Sequence, residues 1–171
     1  MSITKPQENE YAPHYHTYIS KVPGNNLFDA LEDSGQKLVT LLQNIPAEKH
    51  NYAYAPGKWT IKEVLAHIID AERVFSYRAL VFARNDKNQL PGFDENEYAP
   101  ESNATNRTME ELIDEYQHLR KGNILMFKGF TEGMFMRKGI ASTKEITVRA
   151  LGFTISGHEL HHMQVIKERY L

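Results

Sequence analysis

His158 and His162 stand four residues apart, a spacing that on an α-helix puts two side chains one above the other and lets both imidazoles reach a single ion. They fall on an otherwise apolar line, Val148, Leu151, Ile155, His158, His162 and Val165, which advances by 3, 4, 3, 4 and 3 residues. Two imidazoles seldom make a durable metal site, so a third ligand is needed. His67 is the candidate, lying between Val64 and Ala71 at steps of 3 and 4 on another apolar stripe. Taken singly, each has an ordinary reading: the pair as polar surface residues, His67 as a hydrogen-bonded core histidine. Taken together, three inward imidazoles without a shared ligand leave polar groups unpaired in a core. The expectation is a three-histidine site for a divalent metal.

Such a site keeps at least one coordination position for water or substrate. Water bound there has a depressed pKa, and a thiol bound there is deprotonated to the reactive thiolate. The chain contains no cysteine, which excludes disulfides, thiolate metal sites, thiol nucleophiles and iron–sulfur clusters, and means that any thiol arrives as a cosubstrate. Hydrolysis would instead want a carboxylate base; Asp70 and Asp94 are the guesses, and the sequence identifies no catalytic residue. Transfer of a thiol to an electrophile needs fewer missing parts and leads. Imidazoles accept zinc, nickel, copper or iron, so the metal itself is not legible.

Glu63 and Asp70 lie one turn from His67, and Glu159 adjoins His158; each is either an acceptor for a ligand's second ring nitrogen or a solvated helix charge. His161 sits about 60° from His158 on the side away from His162, which suits a surface or supporting residue. His14, His16, His50 and His118 fall in tail, loop or exposed-helix contexts.

Four helices must position these side chains. The first follows Val22-Pro23-Gly24-Asn25-Asn26 and carries Leu27, Leu31, Leu38, Leu41, Leu42 and Ile45 up to Pro46. The second opens on the capping box Thr60 and Glu63 and keeps helical period to about Arg84. A connection of about twenty residues follows, with Phe93 and Tyr98 embedded in it, which favours an ordered, packed loop. The third helix opens on Thr108 and Glu111, and Gly129 and Gly133 help to end it. The stretch from Thr131 to Ser142 reads as a hairpin or a loop, with the last helix starting at Thr143 or Thr147. Strand-like alternation is scarce. The fold expected is all-α, a four-helix bundle with a long connection between helices 2 and 3.

At 171 residues the chain suits one domain, 1–171. Its 22 acidic and 20 basic residues are dispersed, for a net charge of -2, without the basic stripe that nucleic acid requires. The N-terminus is polar and lacks a signal or transit pattern, and no apolar run approaches membrane-spanning length. A cytoplasmic protein that acts on a small molecule, without nucleic acid or membrane as partner, is expected.

The segment Ala55-Pro56-Gly57-Lys58-Trp59-Thr60-Ile61-Lys62-Glu63-Val64-Leu65-Ala66-His67, then Leu90-Pro91-Gly92-Phe93-Asp94-Glu95, and finally Gly157-His158-Glu159-Leu160-His161-His162 resembles the DinB-like superfamily of four-helix-bundle proteins, which includes YfiT-type proteins and bacterial thiol S-transferases. The resemblance covers most of the chain. It implies a divalent metal, nickel or zinc, on one histidine of the second helix and two of the last, matching His67, His158 and His162 here. It also implies homodimers and, in some branches, transfer of a low-molecular-weight thiol to an electrophile. Trp59 and Phe93 belong to the matched blocks and either wall the metal pocket or simply pack. Arg73 and Arg78 either bind an anionic substrate or form a solvated helix face.

Overall fold

The computed structural model describes residues 2–171. Two 3₁₀ turns, Glu8–Glu10 and Pro13–Tyr15, lead into the short helix α1 (His16–Ile19). The long helix α2 (Leu27–Gln43) starts where Asn26 accepts a hydrogen bond from the Phe28 amide. Helix α3 (Ile61–Ala83) begins on the anticipated capping box, Thr60 and Glu63 each accepting from the other's backbone N–H. The connection that follows contains α4 (Glu95–Glu101) and a 3₁₀ turn at Ala104–Asn106, so it is more regular than a packed loop. Helix α5 (Met109–Lys128) starts on the second capping box, Thr108 and Glu111. Then come α6 (Glu132–Phe135), the antiparallel strands β1 (Lys138–Ala141) and β2 (Lys144–Thr147), and α7 (Val148–Arg169), capped by Thr147.

The class is all-α, with the hairpin as its one departure among the described residues. Ala141 faces Lys144 across that hairpin, so the turn is two residues long, Ser142 and Thr143, both in the left-handed region at φ 50° and 66°. Asn-Gly pairs usually mark such turns because they tolerate positive φ; their absence here explains why the sequence left hairpin and loop undecided. Contacts from outside hold the turn instead, since Ser142 N–H donates to Leu90 O at 3.1 Å and Leu90 N–H to Ile140 O at 3.0 Å.

α2, α3, α5 and α7 form the bundle. α7 packs on α2 and α3, and α5 packs on the same two helices. Helices consecutive along the chain, α2 with α3 and α5 with α7, therefore lie across the diagonals. Two apolar clusters fill the interior: one contains Leu27, Leu31, Phe75, Phe82 and Leu151, the other Leu38, Leu65, Leu112 and Ile166. Between them lies a polar layer of Ser34 from α2, His67 and Glu72 from α3, Arg120 and Asn123 from α5, and Ser156, His158 and Glu159 from α7, all buried.

The N-terminal segment, to which the sequence assigned no element, seals this layer from outside. Ile3, Tyr11, Tyr15 and Ile19 are buried in the first cluster, and α1 crosses α7 at Gly157. A Cβ on Gly157 would stand 2.1 Å from the carbonyl oxygen of Tyr18, so only glycine permits that approach.

Candidate metal centre

α3 brings in His67 and α7 brings in His158 and His162. The Nε2 atoms of His67 and His158 lie 3.0 Å apart, and those of His162 and His158 3.1 Å apart. One ligand atom from each of the three residues lies within 4.8 Å of the others. Two nitrogens bound near right angles to one ion at ~2.0–2.1 Å sit roughly 3 Å apart. Without an ion, His158 Nε2, which carries either one N–H or one lone pair, cannot pair fully with both His67 and His162. The donor set therefore fits a divalent transition metal.

Burial also keeps the rings in the form a metal needs. It pulls His67 down to about 4, against the opposing influence of the Glu95 carboxylate. His162 falls to about 3 through burial and the neighbouring His67 and His161. His158, nearest the centre of the cluster, is held well below the ordinary histidine range by burial and by the other histidines. All three are neutral near pH 7, with lone pairs free to coordinate.

Aromatic rings enclose the cluster. Trp59 leans over His67 with centroids 4.9 Å apart, Tyr18 meets His158 edge-on at 5.2 Å, and Phe75 meets His158 at 5.9 Å. Tyr170 O–H donates to the Trp59 carbonyl at 2.8 Å and fixes the start of that wall. A cavity of about 220 Å³ opens beside His162, lined among others by Trp59, Tyr54, Lys58, Asn96 and Tyr170. Trp59 lines this cavity together with His162. Phe93 does not line this cavity: its ring packs on Tyr98 at 5.3 Å in a separate hollow.

The expected supporting carboxylates are placed otherwise. Glu63 closes the cap of α3, Asp70 pairs with Arg73 at 3.5 Å, and Asp94 caps α4 through the Asn96 amide. Glu159, one residue from His158, faces away into the polar layer. There it is buried, accepts from Tyr116 O–H, and pairs with Arg120 Nη1 at 3.1 Å. Arg120 also grips Glu72 at two points, Nε and Nη2 each at 2.9 Å, and donates to the Leu31 carbonyl at 2.8 Å. The network joins all four bundle helices at the level of the histidines.

Glu95, missed by the sequence reading, is the carboxylate whose charge reaches His67. It is exposed and forms no ion pair among the described residues. Its place in the Leu90 to Glu95 block was the available signal. His161 stands beside the cluster, its ring 5.1 Å from that of His162, whereas His118 lies exposed on α5.

A model of the DinB superfamily matches residues 30–166. Two solved structures share the fold. YfiT from Bacillus subtilis, described as a probable metal-dependent hydrolase with an unusual four-helix bundle topology, is 18% identical, with a TM-score of 0.69 over 98% of this chain and 93% of its own. A mycothiol-dependent maleylpyruvate isomerase is 10% identical, with a TM-score of 0.67 over 81% of this chain; the match spans 58% of the isomerase. A comparison with curated proteins finds no match.

Proposed function

This chain belongs to the DinB superfamily, and we propose on that footing that it is a metal-dependent enzyme in which His67, His158 and His162 hold a divalent ion, nickel or zinc, and transfer a low-molecular-weight thiol to an electrophilic small molecule. The observation that carries the reading is the convergence of three neutral imidazoles, His67 and His158 buried and His162 half-buried, beside a cavity. An ion held there supplies Lewis-acid chemistry, lowering the pKa of a thiol or water that reaches it.

The chain's own residues supply the rest. Trp59 and Tyr18 exclude bulk water from two sides of the histidines. The cavity at His162 admits a small molecule, with Lys58 and Asn96 as polar contacts. No helix is long and apolar enough to cross a membrane, and we place the enzyme in the cytoplasm as a homodimer.

Metal-dependent hydrolysis, with the ion activating water, is the second reading, favoured by the fold shared with YfiT, which is described as a probable metal-dependent hydrolase. Tag-free protein should contain near-stoichiometric metal by elemental analysis, and His162→Ala should lose it. Chelation should abolish conjugation of a thiol to a model electrophile while lowering the melting temperature only modestly. Turnover of an ester or amide without thiol would favour hydrolysis. Large destabilisation by chelator with no turnover at all would instead mark the ion as a structural staple.

A further inference from the structure

Arg78 is 3% exposed, yet it pairs with no carboxylate among the described residues. Its Nη2 group donates to the Pro91 carbonyl at 2.9 Å and to Ser142 Oγ at 3.1 Å. Nε and Nη1 donate to no atom of the described residues, and none of the described side-chain nitrogens is both sealed off and without a partner. Those nitrogens therefore reach open space. A buried cation is ordinarily paired, because its desolvation is costly unless an anion offsets it. Arg120, in the polar layer of the same bundle, has two carboxylates; Arg78 has two neutral acceptors.

Arg78 lines a hollow of about 310 Å³ between α3 and the connection that follows it, walled also by Tyr77, Leu90, Pro91, Phe93 and Tyr98. Arg73 also borders it, but Asp70 at 3.5 Å and Glu115 satisfy that charge. The remaining walls are apolar and largely aromatic, so the free charge in the hollow is that of Arg78. The Phe75 ring neighbours both Arg78 and the histidines, its centroid 5.9 Å from Arg78 Cζ and 5.9 Å from the His158 ring.

We propose that this hollow is an oxyanion subsite, in which Arg78 binds the carboxylate of a small molecule whose flat apolar body packs between Phe93, Tyr98 and Tyr77. The missing counter-ion of Arg78 is then supplied by the ligand. The subsite deepens the proposed reaction by naming a substrate class, an aryl carboxylate, and rests on that reading for its purpose, although binding at Arg78 needs no metal.

The test is calorimetric titration of the full chain with benzoate, with neutral benzamide and with inorganic phosphate, in chelator and again with metal restored. Benzoate is expected to saturate the protein in both conditions and to bind about 10-fold or more tightly than benzamide, as expected of a hydrogen bond to a charged group. Arg78→Met should abolish benzoate binding while retaining the metal content of the parent chain. Tyr98→Ala, an exposed position, should weaken benzoate several-fold and serves if Arg78→Met fails to fold. Equal binding of benzoate and benzamide, unchanged binding in a folded Arg78→Met or in Tyr98→Ala, or saturation by phosphate but not by benzoate would overturn the assignment. If the parent chain takes up no metal when metal is restored yet binds benzoate, the subsite stands while the metal reading fails.

Discussion

Arg120 meets Glu159 at 3.1 Å in the centre of the bundle, one residue along α7 from the imidazole of His158. The same guanidinium holds Glu72 on α3, five residues from His67. The ion network and the histidine cluster therefore share one layer and two helices, and the rotation of α7 that buries Glu159 also turns His158 toward α3.

Removing the cation from this layer should be costly. Arg120→Met leaves two buried carboxylates facing each other without compensation and should lower stability by about 3–5 kcal/mol in urea unfolding. Adding Glu159→Gln to that variant should restore part of the loss, because burial already raises the Glu159 pKa. A double variant no more stable than Arg120→Met alone would show that Glu159 carries no charge burden in the fold.

The metal-free protein should weaken on mild acidification. His67 titrates at about 4 and His162 at about 3 in the fold, but near 6.5 once unfolded. Between those values the unfolded chain binds more protons, so stability is full above about pH 6.5 and falls as pH drops toward 4. Each histidine contributes a slope of at most ~1.4 kcal/mol per pH unit. Protons compete with the ion at the same nitrogens, so metal affinity should fall over the same window. Urea midpoints at pH 7, 6 and 5 test this, and equal midpoints in chelator would contradict the buried, neutral cluster.

Trp59 is the single tryptophan of the chain, with its ring 4.9 Å from that of His67. Nickel, as a paramagnetic ion, should quench its emission with a one-to-one endpoint, whereas zinc should shift it without strong quenching. His67→Ala should lose the saturable response to both. A response that survives in that variant would place the ion elsewhere.

Gly157→Ala should loosen the N-terminal segment. The added Cβ would stand 2.1 Å from Tyr18 O and 2.4 Å from Tyr18 C, so α1 must withdraw from α7. The expected loss is about 1–3 kcal/mol, an overpacking cost larger than the ~1 kcal/mol that alanine contributes to the helix. Because Tyr18 also covers His158, metal affinity should fall together with stability. Faster trypsin cleavage at Lys21 would report the detached segment, and an unchanged digestion rate would argue against this crossing.

Much of the fold was legible because its signals are local. The capping boxes at Thr60 and Thr108 start α3 and α5 where expected, and the four-residue interval of His158 and His162 sets them on one face of α7 whatever surrounds it. The apolar stripes carrying His67 and the later pair required those faces to turn inward. Glu159 was illegible as a buried ion because its partners, Tyr116 and Arg120, lie 43 and 39 residues away, and nothing in its neighbours distinguishes it from a solvated helix charge. Arg78 was open for the same reason. The Ser142-Thr143 turn lacks the Asn and Gly that usually take positive φ and is held by Leu90 and Arg78 from outside. The chain itself thus determined the helices and the faces they bury, since those depend on hydrogen bonds and side-chain periods within a few residues. Only tertiary packing decided which helices oppose one another across the bundle, which charges meet in its core and which cation is left unpaired, since those depend on desolvation and on partners brought from distant parts of the chain.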